Sequence, residues 1–520
     1  MLNTDITIIL FFGAQLIFVV SAFIFAISAI DDFFIDIYFY LFLGIKRKEH
    51  GPQIVNRRKL CSSPQGYLAI MLPAWQESGV LEKSVSNILR TLDYQNYHIF
   101  IGTYPNDHET QAEAKRLARQ NKRVHPVVTP LPGPTCKADC LNSIVKAIFD
   151  FEKKASIAFA GFILQDAEDI VHELSLKTFN HFLNEYDLVQ IPVFSLKRKW
   201  HELTASHYMD EFAEFQSKEI RVREKLAGLV PGAGVGTAYS RKAVLAFNAK
   251  DEVFRTNTLT EDYEFSIRLH KIGLKQISAS IIIEDDQAGE PPKSKKATRY
   301  WNIDKIISTR EYFPNRFWSA VRQKTRWTIG ISLQGWKNYQ WRGNWRIRYL
   351  FWRDRKMLFF AQAIAAGFVC LLLFSTLTTY HTFILDGYKF APLLAHDSLI
   401  WHLVYFNLFI TGIRIIQRYY WTYTIYGWSA LPMLPLRYVW GALINYLAIT
   451  RAIKIFFYHE FKGQPIGWDK TTHDFPEEFF VPSESVSLDR VPIDGNAQTE
   501  SAPANPHRPI HPELSTESYG

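Results

Sequence analysis

The distribution of charge constrains this chain more than any single motif in it. No charged residue occurs from Ile6 to Ile30, and several nearly uncharged segments recur between Met357 and Phe457. Each is long enough to cross about 30 Å of hydrocarbon as a helix. Roughly three hundred residues of mixed, water-compatible pattern lie between them. A chain of 520 residues exceeds one ordinary domain and can bury a sizeable core. Its net charge of +8 would point to nucleic acid if it covered a soluble face. Much of that charge sits instead beside the apolar segments, at Lys46, Arg47 and Lys48 and at Arg342, Arg346, Arg348, Arg353, Arg355 and Lys356. Membrane topology explains the placement, and no nucleic-acid partner is expected.

The same basic clusters orient the chain. Ile6–Ile30 has no basic residue ahead of it and Lys46–Lys48 behind, which puts the N-terminus outside and the following residues in the cytosol. It lacks the basic leader and short apolar core of a cleavable signal peptide. The second cluster precedes a span starting near Met357, and a third span near Leu399–Ile416 ends at Arg414 and Arg418, so the Tyr380–His396 loop is expected outside. Pro432, Pro435 and Arg437 interrupt Tyr423–Ile449, which reads as re-entrant or interfacial, with a fourth span as the alternative. From about Pro476 to Gly520 the chain is rich in Pro, Ser, Glu and Asn, a composition that predicts disorder. The expected organisation is a membrane helix with an interfacial flank over 1–45, a cytosolic domain over 51–312, interfacial amphipathic helices over 313–355, membrane helices over 356–475 and a cytosolic tail over 476–520.

Cys61, Cys136 and Cys140 fall in the cytosolic part and Cys370 in a span, so reduced thiols are expected. Cys136 and Cys140 would share a helix face, but without a second cysteine pair they read as packing residues.

The middle region alternates strands and helices: Tyr67–Leu72, a helix near Leu81–Leu92, His98–Thr103, Thr110–Gln120, Val124–Val128, a helix from about Cys136 to Phe151, and Ile157–Leu164. That rhythm implies a parallel, helix-covered sheet with ligands at the carboxyl ends of its strands. Gln165-Asp166-Ala167-Glu168-Asp169 directly follows one apolar strand. Carboxylates so placed can hold a divalent cation against a diphosphate, although an acidic turn would read the same way. Thr260-Glu261-Asp262 opens a helical run through Tyr263–Leu269 and is either a helix cap or the seat of a general base. In Gln323-Lys324-Thr325-Arg326-Trp327, within a basic, aromatic helix beginning near Pro314, Gln323, Arg326 and Trp327 share one face. They can offer an amide, a guanidinium and a flat ring to a sugar and a phosphate, and they equally suit an interfacial helix.

In order and spacing these motifs resemble the D-x-D, T/E-E-D and Q-x-x-R-W series of the family-2 processive glycosyltransferases. Pro73-Ala74-Trp75-Gln76-Glu77 is similar to that family's P-x-x-N-E loop, and Lys137-Ala138 with Asn142 resembles its K-A-x-x-L-N element. Within the family the likeness is to the bacteriophage adsorption protein B group. It is carried by Tyr104-Pro105-Asn106-Asp107, Asp166–Asp169, the glycine loop Pro231–Gly236, Arg310–Pro314 and Arg322–Trp336, and it covers roughly residues 10–475.

The resemblance implies an α/β GT-A fold, the nucleotide-diphospho-sugar transferase fold, embedded between transmembrane helices of a bacterial inner membrane. It implies a hexosyltransferase using a UDP-sugar, with UDP-N-acetylhexosamine one candidate, and Mg²⁺ or Mn²⁺. Pro73, Gln76, Glu77, Lys137 and Asp166 would meet the nucleotide sugar, with Asp166, Glu168 or Asp169 at the metal. Glu261 and Asp262 would be catalytic, with Asp262 the base, and Gln323, Arg326 and Trp327 would flank acceptor and diphosphate. The aspartate that usually follows the second strand is missing at Thr103-Tyr104, and Asn106 or Asp107 is expected to replace it. The product would be an exported polysaccharide, with an outer-membrane partner or a homo-oligomer completing a thin channel. The short tail implies that any cyclic-di-GMP-responsive regulator is a separate protein. Two alternatives are single-sugar transfer to a polyprenyl-phosphate lipid and a non-catalytic scaffold of an export system.

Overall fold

The computed structural model describes residues 4–46, 52–248, 252–284, 303–383, 393–464 and 466–467. Arg47, Lys48, most of the Tyr380–His396 loop and the tail from Pro476 lie outside them. Eleven strands are formed among the described residues: β1 Gln53–Asn56, β2 Tyr67–Pro73, β3 Tyr97–Thr103, β4 Val124–Val128, β5 Phe159–Leu164, β6 Leu188–Gln190, β7 Val193–Ser195, β8 Thr237–Ser240, β9 Gln276–Ser278, β10 Ile281–Glu284 and β11 Thr309–Glu311. Seven of them make one sheet in the order β4-β3-β2-β5-β8-β6-β9.

The near-continuous apolar runs of β2, β3 and β5 are those of strands covered on both faces. The sheet is in fact sandwiched between two apolar clusters. One is built on Leu68, Ile70, Leu72 and Val85, the other on Phe100, Leu141, Ile144 and Phe162. Helix Lys137–Ala155 lies on the second face, where Cys140 is buried as packing.

The sheet is mixed rather than parallel throughout. β8 runs antiparallel to both β5 and β6, pairing Thr237 with Leu164 and with Gln190. The cause is connectivity. The chain leaves the sheet after β6, passes through β7, which pairs with β11, and helices Leu203–Glu214 and Ile220–Ala227, and re-enters at the carboxyl edge, so β8 must descend. This sets the glycine loop before Thr237 beside Gln165 and Asp166 after Leu164.

Among the described residues, four helices are long and apolar enough to cross a membrane: Phe11–Ile45, Trp345–Thr376, Ile400–Tyr426 and Leu434–Lys462. The last accounts for most of the stretch expected to be re-entrant or interfacial. Pro435 does not break it, because it occupies the first turn, where its missing N–H costs no hydrogen bond. Arg437 is buried against Asp210, Nε to Oδ2 2.8 Å. Paired charges also join the first three long helices to the helices after β7. Lys218 meets Asp36 at 2.5 Å, Arg353 meets Glu219 at 2.9 Å and Arg414 meets Glu214 at 2.9 Å. Buried ions persist only with such partners.

Candidate active site

The three motifs, up to 161 residues apart between Asp166 and Trp327, converge on one cavity of about 460 Å³ at the carboxyl edge of the sheet. Pro73, Glu77, Lys137, Asp166, Glu168, Glu261, Asp262, Gln323, Arg326 and Trp327 all line it.

The donor-side wall begins at β5. Asp166 Oδ1 lies 2.6 Å from Lys137 Nζ, which also donates to the Gly234 carbonyl at 3.2 Å and stands 4.0 Å from Glu261 Oε1. Burial works to discharge this ammonium, but Asp166 and then Glu261 outweigh it, and its pKa rises above the lysine range. Glu168 lines the cavity, whereas Asp169 does not. Asp169 is fully buried and accepts from the Asp166 N–H at 2.8 Å, which fixes the turn. Burial, then Glu311, Asp166 and Glu168, holds its carboxyl well above the usual carboxylate range.

Asp166 and Glu168 are thus the two cavity-facing carboxylates of this turn. Hard oxygen donors in that number suit Mg²⁺ or Mn²⁺ when a diphosphate supplies the remaining positions. Among the described residues, no group of three His, Cys, Asp or Glu side chains is arranged to hold a metal ion. The substrate would therefore have to complete the set.

Helix Glu261–Lys271 starts at Thr260, yet the Thr260 side chain caps nothing. It packs instead against Gly330, where an added Cβ would lie 2.3 Å from Thr260 Oγ1. The second motif is thereby locked to the helical segment that follows the third. Burial pushes Glu261 up to about 7, with Asp262 adding to the rise and Lys137 opposing it. Asp262 is likewise raised by burial against Lys137. Glu261 so poised can accept a proton near neutral pH, and Asp262 beside it is shifted in the same direction. The glycine loop wraps this group. Gly234 has φ +78°, and a Cβ there would come 3.0 Å from Asp262 Oδ2.

That loop is held by two buried glutamines not anticipated from sequence. Gln165 Oε1 accepts from the Gly236 N–H at 2.6 Å. Gln190 Oε1 accepts from Ala233 N–H at 2.9 Å and Thr237 Oγ1 at 2.7 Å, while its Nε2 donates to the carbonyls of Ile191, Val235 and Gly236. Glutamines at strand ends carry no sequence signal of such a role.

The opposite wall is helix Phe317–Trp327 with helix Leu203–Glu214. Trp327 packs edge-on to Tyr208, with ring centroids 6.1 Å apart, and lines the cavity beside Phe212 and Phe313. Gln323 Oε1 is buried without a hydrogen-bond partner among the described residues. Arg326 has no carboxylate partner among them. Lys324 does not line the cavity itself but pairs with Glu211, which does, and donates to Asn445 Oδ1 at 2.7 Å.

Three anticipated residues are elsewhere. Gln76 is exposed, with φ +54°, and does not line the cavity. Asn106 exchanges hydrogen bonds of 2.7 Å with the Gly133 N–H and carbonyl. Asp107 caps helix His108–Gln120 and accepts from the Gln76 N–H at 2.6 Å. Trp75, which the loop pattern Pro73–Glu77 gives no role of its own, lines the cavity near them and packs edge-on against Tyr104.

Residues 64–330 match the family model described as glycosyltransferase like family 2. The chain is 40% identical over 479 residues to bacteriophage adsorption protein B of Escherichia coli (strain K12), covering 89% of this chain and 63% of that protein. The same figures hold for bacteriophage N4 adsorption protein B of Escherichia coli O157:H7. The chain thus spans a little under two thirds of the length of these relatives. Among solved structures it is similar to a mannosyltransferase from Pyrobaculum calidifontis in complex with GDP-Man and Mn²⁺, with TM-score 0.45 and 11% identity over 82% of this chain and 99% of that one. It is also similar to glucosyl-3-phosphoglycerate synthase from Mycobacterium tuberculosis, with TM-score 0.22 and 16% identity over 34% and 58%. At these scores neither structure assigns a ligand or a residue role to this chain.

Proposed function

The chain belongs to glycosyltransferase-like family 2, and on that premise we propose that it is an inverting hexosyltransferase of a bacterial inner membrane. It moves a sugar from a nucleotide diphosphate, most simply a UDP-sugar, onto a growing polysaccharide. The observation that carries this reading is the meeting of Asp166 and Glu168, Glu261 and Asp262, and Gln323, Arg326 and Trp327 around one cavity. Its volume falls within the range of small-ligand pockets.

Lys137 and Arg326 supply positive charge to the diphosphate, and Trp327, with Phe212 and Phe313, gives the acceptor sugar an apolar wall. Asp262 takes the proton of an acceptor hydroxyl. The oxygen attacks the anomeric carbon as the bond to the diphosphate breaks, and the nucleotide diphosphate leaves with the electron pair. One displacement inverts the anomeric configuration. A divalent cation held by Asp166 and Glu168 would neutralise charge on the departing diphosphate. Basic residues flanking the first three apolar helices support a reading with the N-terminus in the periplasm and the catalytic domain in the cytosol.

The test is nucleotide diphosphate release by the purified full chain across a panel of UDP- and GDP-sugars, with product length resolved on a gel. Release with one donor and a ladder of products supports the reading. Silence with every donor, in the presence of Mg²⁺ or Mn²⁺, overturns it.

A further inference from the structure

We propose that the fourth apolar helix, Leu434–Lys462, does not cross the bilayer but lies along the membrane surface that faces the catalytic domain. Length does not decide the matter, since at about 1.5 Å per residue its 29 residues run about 44 Å, enough to cross. What decides it is what its two ends touch. A crossing helix delivers its ends to opposite faces of about 30 Å of hydrocarbon.

Near the start, Arg437 grips Asp210 through Nε at 2.8 Å and Nη2 at 3.0 Å, and Trp440 Nε1 donates to Thr204 Oγ1 at 3.0 Å. Near the end, Lys337 Nζ lies 2.8 Å from Glu460 Oε2. Thr204, Asp210 and Lys337 all belong to the stretch between the first and second long apolar helices. Among its described residues, that stretch contains no helix able to cross. The two ends of Leu434–Lys462 are therefore held on one side.

The middle of the helix stays with them. Asn445 accepts from Lys324 Nζ at 2.7 Å and donates to Glu211 Oε1 at 3.0 Å, and the Ala448 carbonyl accepts from Thr325 Oγ1 at 3.3 Å. Thr450 accepts from Gln362 Nε2 at 2.8 Å. Gln362 is only about 8 Å along its helix from Met357, where the apolar part of the second span begins.

The two faces of the helix differ accordingly. Leu434, Arg437, Gly441, Ile444, Ala448 and Ala452 are buried against the protein. Leu436, Val439, Leu443, Phe457 and Phe461 follow the helical repeat on the other face and are 49, 66, 44, 52 and 91% exposed. Exposed Lys454 and Lys462 accompany them. An apolar stripe with cations beside it, continuous with membrane helices, fits the acyl–headgroup boundary of a lipid leaflet. The bilayer surface then braces the acceptor wall, because Asn445 ties this helix to Lys324, the neighbour of Gln323, and to the cavity residue Glu211.

Single cysteines test this in a full-length background with Cys61, Cys136, Cys140 and Cys370 replaced by serine or alanine, using a membrane-impermeant maleimide on sealed vesicles. Trp428→Cys and Gln464→Cys flank the helix, and Leu399→Cys reports the far end of the third span. Labelling of positions 428 and 464 from one side, with 399 on the other, is expected. Labelling of 464 together with 399, and opposite to 428, overturns the proposal. Nitroxides at Val439, Leu447 and Phe457 give a second reading. Equal depths support a flat helix, and a label at Leu447 near the bilayer centre contradicts it. Neither readout depends on transferase activity, so failure here is distinguishable from failure of the proposed reaction.

Discussion

Lys137 holds its ammonium 2.6 Å from Asp166 and 4.0 Å from Glu261, joining the acidic turn after β5 to the helix that carries Asp262. Lys137→Met removes the cation that keeps Glu261 and Asp262 from rising further. The base would then lose its proton at higher pH, so the acidic limb of the kcat/KM profile should move upward. Turnover at neutral pH should fall by about two powers of ten, the loss of roughly one strong electrostatic contact. A pH–rate profile with an unmoved acidic limb would contradict this role.

Glu168 and Asp169 should separate cleanly. Glu168 faces the cavity, so Glu168→Ala should weaken Mn²⁺ activation in a metal titration. Asp169 instead fixes the Asp166 backbone from beneath. Asp169→Ala, which removes that acceptor, should retain metal activation and lower the melting temperature.

Glu261 carries a stability signature. Its folded pKa of about 7 lies above the ordinary glutamate value, so the folded state binds the extra proton. Stability must then fall as pH rises from about 4.5 toward 7, because the buried carboxylate ionises at a cost the unfolded chain does not bear. Glu211, lowered to about 2 against burial by Lys324 and His207, titrates below that window. The melting temperature of Glu261→Gln should therefore gain on wild type as pH increases from about 5 to 8. A constant difference would place the proton elsewhere.

Gln190→Leu should leave the Ala233 N–H and neighbouring carbonyls buried without their side-chain partner. Each buried orphan costs about 1–3 kcal/mol, so a loss near 3 kcal/mol or more is expected in thermal unfolding. The donor-side loop around Gly234 should loosen with it, raising donor KM.

Much of this arrangement is written locally. The strand Val124–Val128 and the start of Tyr67–Pro73 follow from apolar runs, and each motif falls at a strand end or helix start because turn chemistry is local. The reversal of β8 is not local. It depends on where helices Leu203–Glu214 and Ile220–Ala227 return the chain. Nor could spacing show that Asn106 and Asp107 are engaged by Gly133 and Gln76, since those bonds cross between loops. For Leu434–Lys462 the sequence left two settings open, interfacial or spanning. Its composition suits a span, and only ion pairs between residues more than a hundred apart in sequence, such as Lys337 with Glu460, define what its ends touch.

The most direct test of the central claim compares Asp262→Asn with wild type for donor binding and for nucleotide diphosphate release in the same preparation. The substitution keeps the size and removes the basic oxygen. Donor affinity should remain close to wild type while release falls by about two to four powers of ten, the usual share of a general base. If Asp262→Asn retains most of its release, the base lies elsewhere and the catalytic reading of this cavity is wrong.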